Sequence, residues 1–234
     1  MSTPTPTERH AARLARLRGL YAITPDNDDT GALLHAVTAV LSGGARIVQY
    51  RNKRVDAMQR REQGEALRQL TRAHDALLII NDDAPLALAL DADGVHIGRD
   101  DGDVAATRRL IGPERLLGVS CYNDWAIAEA SLAAGADHVA FGAAFASSTK
   151  PGAVHAPLAL YRKAREQTRA PIVAIGGIEL HNAGSLLACG VDAIAVISAL
   201  FGATDPRSTA AAFSALYARV DTDSAAGRSG RETP

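Results

Sequence analysis

The sequence predicts an α/β fold, a single (β/α)8 barrel of the TIM type, from three observations. Short apolar runs alternate with amphipathic, Ala- and Leu-rich segments along most of the 234 residues. Eight such units recur at a spacing of roughly 25 residues, which suits a closed parallel barrel in a chain near ~250 residues. The competing fold, an open doubly wound sheet, often has a Gly-rich first turn, and the first turn Thr24–Asp28 lacks one.

The apolar runs are the predicted strands of this barrel. In chain order they are Gly19–Ile23, Ile47–Gln49, Leu77–Ile80, Gly94–Ile97, Leu117–Ser120, His138–Phe141, Ile172–Ile175 and Ala193–Ile197. Helical patterns follow many of them, namely Asp56–His74, Asp124–Ala134, Leu158–Thr168, Leu180–Cys189 and Ser208–Arg219. These elements place the catalytic barrel in residues 19–220.

The two ends of the chain lie outside the barrel pattern. Within residues 1–18, Thr7–Arg18 is expected to form a helix that closes the barrel floor. Asp221–Pro234 has no apolar periodicity and is expected to be a disordered tail. No linker divides the chain into two domains.

Composition excludes several classes of function. The chain has 25 basic and 26 acidic residues, so its net charge of −1 gives no field for nucleic acid or an anionic membrane. No apolar run approaches the ~18–20 residues of a membrane span, and the polar N-terminus lacks the apolar core of a secretory signal. Cys121 and Cys189 have neither disulfide-scaffold nor zinc-site spacing. We therefore expect a cytoplasmic protein.

Polar residues follow the predicted strands, at the end of a (β/α)8 barrel where active sites lie. They are Gln49, Arg51 and Lys53, then Asn81, Asp82 and Asp83, then Asp100 and Asp101, Ser120, Ser147 to Lys150, Gly176 and Gly177, and Ser198. Only three of the 25 basic residues are lysine, and two of the three, Lys53 and Lys150, are in this set.

These residue types indicate a particular chemistry. Carboxylates with room for water suit Mg²⁺, and nearby cations balance the charge of a polyphosphate. A Gly-Gly pair before a helix lets backbone N–H groups approach an anion. The residues alone therefore predict a phosphorylated substrate with Mg²⁺. His96 is expected to be a buried, hydrogen-bonded side chain, and His138 to lie at the barrel floor.

A family resemblance covers nearly the whole chain, from about Tyr21 to Leu200. It is carried by Tyr21–Thr24, Val48–Lys53, Ile80–Asp83, Gly94–Gly98 with Asp100 and Asp101, Gly118–Ser120, Ser148–Lys150, Ala174–Ile178 and Val196–Ala199. This ordered set resembles thiamine-phosphate synthase (thiamine-phosphate pyrophosphorylase). The resemblance implies a transferase that joins 4-amino-5-hydroxymethyl-2-methylpyrimidine diphosphate to thiazole phosphate, giving thiamine phosphate and pyrophosphate.

The resemblance also implies roles for individual residues. The pyrimidine diphosphate would contact Gln49, Arg51, Lys53, Asn81 and Lys150. One Mg²⁺ per subunit would bind Asp82 and Asp101. Ser120 would lie beside the pyrimidine and its departing oxygen, and with Arg51, Lys53 and Lys150 would form the catalytic set. The thiazole phosphate would contact Ser147, Thr149, Gly177, Ile197 and Ser198.

The implied mechanism is a dissociative substitution, in which electrostatics and positioning supply most of the acceleration. The sequence departs from the family pattern at Arg99, where many relatives have Gln, and at Ala146-Ser147, where many have Pro-Thr. Homo-oligomers are compatible with this sequence.

Three alternatives stay open. A thiazole tautomerase cousin would carry a histidine after the fifth strand, where this chain has Ser120–Asn123. A non-catalytic regulator would have lost the acids or the cationic loop. The third alternative is a generic phosphate-binding barrel isomerase or aldolase. An aldolase of the Schiff-base type would need a lysine in an apolar pocket at a strand end, which neither Lys150 nor Lys163 fits.

Overall fold

A computed structural model describes residues 5–98, 101–146 and 154–229 of the chain. Eight parallel strands close into one barrel in sequential order, so the predicted fold class is confirmed. The strands are β1 (Gly19–Ile23), β2 (Ile47–Tyr50), β3 (Leu77–Asn81), β4 (Gly94–Ile97), β5 (Leu116–Tyr122), β6 (His138–Phe141), β7 (Ile172–Ile175) and β8 (Ala193–Val196). Each agrees with a predicted apolar run to within two residues at either end.

Helices precede, connect and follow these strands. They are α1 (Pro6–Ala15), α2 (Thr30–Ser42), α3 (Ala57–Ala73), α4 (Ala84–Ala89), α5 (Val104–Ile111), α6 (Trp125–Ala133), α7 (Leu158–Gln167), α8 (Leu180–Leu187), α9 (Ser198–Phe201) and α10 (Pro206–Ser229). Helix α10 ends at Ser229. The disordered tail expected over Asp221–Pro234 stays a prediction. Residues 230–234 lie outside the described part.

Capping residues in the sequence start many of these helices. Asp29, Asp56, Asp103 and Asp124 each accept a hydrogen bond from a backbone N–H in the first turn of the helix that follows. Helix α1 begins with a capping box between Thr5 and Glu8. The helices that follow β1, β2, β4 and β5 therefore each begin at a defined residue.

The apolar core has two parts, on the inner and outer sides of the strands. Inside the barrel, Tyr21, Ile47, Leu77, Leu116 and Val173 belong to one buried cluster. A larger cluster fills the layer between the strands and the surrounding helices. Strands that are buried on both faces are apolar throughout, which explains why they are visible in the sequence as continuous runs.

The floor of the barrel is closed by α1, as the sequence predicts. Leu17, just after this helix, is buried within the inner cluster, and Leu14 packs against it. Ion pairs hold the helix in place: Arg9 Nη2 lies 2.5 Å from Glu114 Oε1, and Arg13 Nε lies 3.1 Å from Asp93 Oδ1. This end of the barrel is therefore structural. None of the described helices is both long and apolar enough to cross a bilayer.

Candidate active site

The residues after β2 form the cationic side of the site. Gln49 is buried inside the barrel, where its Nε2 donates to the Tyr21 hydroxyl at 2.9 Å. The backbone of Arg51 is fixed by Thr24, whose Oγ1 donates to the Arg51 carbonyl and accepts from its N–H, both at 2.9 Å. The Lys53 ammonium is largely exposed, with Nζ 3.5 Å from Asp82 Oδ2. These three predicted residues thus lie at the carboxyl end of β2.

Asp26 organises this cationic segment, and sequence reasoning missed it. Its Oδ1 accepts from Nη1 of Arg51 at 3.0 Å and from the backbone N–H of Lys53 at 2.8 Å. One carboxylate therefore orients a side chain and a backbone segment at once. In the sequence Asp26 is one of several polar turn residues after the first strand, and nothing in its spacing indicates that it faces the next strand.

The carboxylates after β3 and β4 come together, as the sequence predicts. Asp82 is half-buried with a left-handed φ of 60°, and Asn81 Nδ2 donates to its Oδ2 at 2.6 Å. Burial and the neighbouring carboxylate of Asp101 raise the pKa of Asp82, against the opposing effect of Lys53. Asp101 also accepts from the backbone N–H of Gly98 at 3.1 Å. Two acids are thus held side by side, with one cation nearby.

A cleft of about 340 Å³ opens over these acids. Its walls include Lys53, Asn81, Asp82 and Asp101. A separate cavity of about 390 Å³, lined by Arg16, Arg18 and Arg46 among others, lies at the opposite end of the barrel. The cleft at the carboxyl ends of the strands is where a (β/α)8 barrel carries its chemistry.

Ser120 lies on β5, in the carboxyl-terminal half of the strand. Its Oγ is 2.9 Å from Nε2 of His96, so His96 is the buried, hydrogen-bonded residue that the sequence predicts. Burial lowers the pKa of His96 to about 4, so the ring is neutral at pH 7. The pairing of β5 with β6 shifts register between Ser120 and Tyr122. Irregularities of this kind re-aim side chains next to active sites.

The Gly176-Gly177 pair brings two loops into close contact. Both residues have positive φ, 96° and 63°. A Cβ at Gly177 would lie 2.3 Å from the carbonyl oxygen of Ala146, and Phe145 N–H donates to the Gly176 carbonyl at 3.0 Å. The pair is therefore required by backbone packing. It also sets Gly177 beside the end of β8, since Ile175 pairs with Ala195.

Some of the predicted site residues have no structural description here. Ser147, Thr149 and Lys150 fall in the gap between residues 146 and 154, and Arg99 and Asp100 in the gap between 98 and 101. Ile197 and Ser198 are described, at the start of α9, directly after β8. Among the described residues, no three His, Cys, Asp or Glu side chains form a cluster that could hold a metal.

No nucleophile for covalent catalysis is apparent among the described residues. Cys121 is buried, and burial raises the pKa of its thiol to about 12, so it is protonated at pH 7. Nδ1 of His96, the ring beside Ser120, has no hydrogen-bond partner among the described residues, so the carboxylate contact of a catalytic triad is not seen there. The site offers cations, paired acids, a hydroxyl and backbone N–H groups instead. Together with the fold, this set defines a (β/α)8 barrel of the enzyme class, with charges that suit a phosphorylated ligand.

Comparison with known proteins gives the family. The family model described as thiamine monophosphate synthase matches residues 20–200, and the chain belongs to that family, as the sequence predicts. A thiamine-phosphate synthase of Azoarcus sp. (strain BH72) is 53% identical over 203 residues, 87% of this chain and 98% of the relative. One from Methylobacillus flagellatus is 54% identical over 209 residues, 89% of this chain and 99% of the relative.

Solved structures agree with this assignment. The thiamine phosphate pyrophosphorylase from Pyrococcus furiosus superposes with a TM-score of 0.80 at 36% identity, covering 89% of this chain and 98% of that one. A 3-hexulose-6-phosphate synthase superposes with a TM-score of 0.64 at 20% identity, which shows the shared fold alone.

Proposed function

We propose that this chain is a transferase that joins 4-amino-5-hydroxymethyl-2-methylpyrimidine diphosphate to thiazole phosphate, releasing pyrophosphate. Family membership supports the reaction, because relatives about half identical over most of their length are thiamine-phosphate synthases. One observation of the site carries the proposal: Lys53 and Arg60 line a single cleft together with the paired acids Asp82 and Asp101, and Lys53 Nζ lies 3.5 Å from Asp82 Oδ2. A diphosphate would match the cationic side chains of this cleft, and a divalent cation would match its two carboxylates.

The diphosphate would lie on the cationic side of the cleft. Arg51 and Lys53, with Lys150 from the loop after β6, would balance its charge, and Asn81 would donate a hydrogen bond. Gln49 would bind the pyrimidine ring, because its amide lies inside the barrel mouth beside the Tyr21 hydroxyl. Ser120 would donate its hydroxyl proton toward the departing oxygen.

The paired acids fit Mg²⁺. Burial, and then the neighbouring Asp101 carboxylate, raise the pKa of Asp82, and a bound divalent cation would offset both effects. Mg²⁺ binds through one or two carboxylates and completes its shell with water and substrate phosphates. Asp82 and Asp101 would hold one ion per subunit. Bound there, the ion would neutralise charge that accumulates on pyrophosphate as it leaves.

The thiazole phosphate would bind after β7 and β8. Gly177 lies there beside the end of β8, and Ile197 and Ser198 stand at the start of α9, directly after β8. Phosphate sites in (β/α)8 barrels commonly lie at this position. Ser147 and Thr149 would add hydroxyl groups from the loop after β6.

The reaction then needs no covalent enzyme intermediate. The bond between the exocyclic carbon of the pyrimidine and the diphosphate oxygen breaks, and its electron pair leaves with pyrophosphate. The aminopyrimidine ring donates electron density to the carbon left behind, and the thiazole nitrogen attacks that carbon to form the new C–N bond. This chain's residues hold the two reactants in contact, exclude water and balance the leaving charge.

The proposal includes the setting of the reaction. The substrates are free small molecules, neither nucleic acid nor membrane takes part, and the reaction takes place in the cytoplasm. Assembly into a homo-oligomer is compatible with it, because the described cleft lies within one barrel.

Pyrophosphate release tests the proposal directly. Purified protein is given both substrates and Mg²⁺, and each of the three is then omitted in turn. Release that needs all three and yields thiamine phosphate is expected. Isomerisation or proton exchange of the thiazole alone, without release, would instead identify a tautomerase. Tight binding of thiazole phosphate with neither reaction would identify a regulator.

A further inference from the structure

Two histidines meet inside the barrel, one layer below the site. His96 on β4 and His138 on β6 both pair with Gly118 of β5, which lies between them. Their ring centroids are 5.7 Å apart, and His138 has no exposed surface. His138 begins β6, as the sequence predicts, but the stagger of the strands places it level with Gly118 inside β5. It therefore lies beneath the site and not at the floor.

Gly118 is what allows the two rings to approach. A Cβ at this position would lie 2.2 Å from Nε2 of His138 and 2.5 Å from Nδ1 of His96. Any larger residue would clash with both rings. The two nitrogens consequently lie close to the same point over the glycine.

Hydrogen bonds are incomplete in this cluster. His96 Nε2 lies 2.9 Å from Ser120 Oγ, whereas its Nδ1 has no partner among the described residues. Both ring nitrogens of His138 are likewise buried and unpartnered. Burial lowers the pKa of both histidines, so each ring carries one N–H and one lone pair at pH 7. Buried N–H groups without partners are rare in native proteins.

We propose that His138 is a positioning residue, which donates a hydrogen bond from Nε2 to Nδ1 of His96 and thereby orients the hydroxyl of Ser120. The bond forms by a small approach of the two rings or through one bridging water, and its direction is the same in either case. The remaining nitrogen of His138, Nδ1, then carries the lone pair, because an unpaired acceptor is tolerated better than an unpaired donor.

The direction of the hydrogen bond between His138 and His96 fixes the tautomer of His96 and, through it, the direction of the bond to Ser120. If Nδ1 of His96 accepts, its proton is on Nε2 and is donated to Ser120 Oγ. The hydroxyl proton of Ser120 is then free to point at the substrate. If His96 instead carried its proton on Nδ1, the Ser120 hydroxyl would donate to Nε2 of His96. That hydroxyl proton could then not be donated to the departing oxygen. The relay thus makes Ser120 a donor toward the cleft, and its effect on turnover rests on the proposed function.

Nitrogen-15 NMR of histidine-labelled protein tests the relay without any substrate. Both rings are expected as neutral Nε2–H tautomers at pH 7, assigned with the variants His138→Gln and His138→Leu. In His138→Leu the tautomer of His96 becomes mixed, whereas in His138→Gln, which keeps a donor near Nε2, it is retained. A wild-type His96 protonated on Nδ1, or a tautomer unaffected by His138→Leu, would overturn the proposal. If His138→Leu fails to fold, His138→Gln still assigns the His138 signals, and a wild-type His96 protonated on Nδ1 still overturns the proposal.

Turnover supplies the second readout. His138→Leu is expected to lower kcat about tenfold with little change in KM, and His138→Gln to restore most of it. In a Ser120→Ala background, His138→Leu should cause no further loss, because the relay ends at that hydroxyl. An equal loss in both backgrounds would show that His138 only fills space. Absence of pyrophosphate release by the wild type would instead count against the proposed function and leave the NMR result standing.

Discussion

Nη1 of Arg51 lies 3.0 Å from Oδ1 of Asp26, and the same oxygen accepts from the backbone N–H of Lys53. Asp26, in the loop after β1, therefore orients the cationic segment after β2. A free arginine would sample many rotamers and lose their entropy when it binds a diphosphate. Asp26 restricts that freedom before substrate arrives.

Asp26→Ala should accordingly lower kcat/KM for the pyrimidine diphosphate about tenfold, since misplaced cations stabilise the leaving group less well. Asp26→Asn keeps an acceptor oxygen and should retain more activity. Steady-state kinetics with varied diphosphate measures both. Asp28→Asn is the matched control, because the Asp28 carboxylate forms a largely exposed pair with Arg54 at 3.5 Å. Equal losses at positions 26 and 28 would refute an orienting role.

Asp82 and its neighbour Asp83, both after β3, should differ sharply in how their substitution affects the Mg²⁺ requirement. Asp82→Asn is expected to raise the Mg²⁺ concentration needed for half-maximal activity by about tenfold or more, because it removes one of the two paired carboxylates. Asp101→Asn should act alike. Activity titrated with Mg²⁺ gives the answer, and near-normal activity of either variant at low Mg²⁺ would refute the metal assignment.

Asp83 provides the control for this experiment. Its carboxylate caps α4, accepting from the N–H of Leu86 at 2.9 Å. Asp83→Asn keeps a capping acceptor, whereas Asp83→Ala should lower the free energy of unfolding by about 1 kcal/mol. Neither variant should change the Mg²⁺ requirement. A metal effect at Asp83 as large as that at Asp82 would mean that general loss of charge, not ligation, is responsible.

Glycine at position 177 should be irreplaceable. Gly177→Ala forces an alanine to a φ of 63° and places its Cβ 2.3 Å from the Ala146 carbonyl oxygen. We expect a loss of about 1–3 kcal/mol in the free energy of unfolding and a raised KM for thiazole phosphate. Gly184→Ala in α8 meets nothing within 4 Å and should be stabilising by about 0.5–1 kcal/mol. Denaturant unfolding and kinetics of both variants test this contrast.

The sequence predicts the barrel well because its strands are buried on both faces and therefore apolar throughout. It also predicts that Asp82 and Asp101 converge, since the ends of neighbouring parallel strands must be close. The contacts that the sequence does not reveal are those that depend on the register between neighbouring strands. The contact of Asp26 with Arg51, the bond between Tyr21 and Gln49, and the meeting of His96 with His138 all depend on how far each strand is displaced along its neighbour. No local pattern encodes that displacement, and the register shift beyond Ser120 has no sequence signal.

The buried histidines should make the protein sensitive to mild acid. Burial lowers the pKa of His96 to about 4, with Asp101 opposing, and that of His138 well below its ordinary value. Between pH 6.5 and about 4 the unfolded chain binds protons at these positions that the folded chain does not. The free energy of unfolding should therefore fall as pH drops below 6.5, by about 1.4 kcal/mol per pH unit for each histidine.

Urea unfolding at pH 8, 7, 6 and 5 measures this slope, and comparison with His138→Gln isolates one histidine. The variant should lose about 1.4 kcal/mol per pH unit of the dependence below pH 6, because glutamine does not titrate. Asp82 acts in the opposite sense, since its raised pKa favours the folded state as pH falls, but it is common to both proteins and cancels in the difference. Identical slopes would mean that His138 is protonated in the fold, which the apolar barrel interior should not allow.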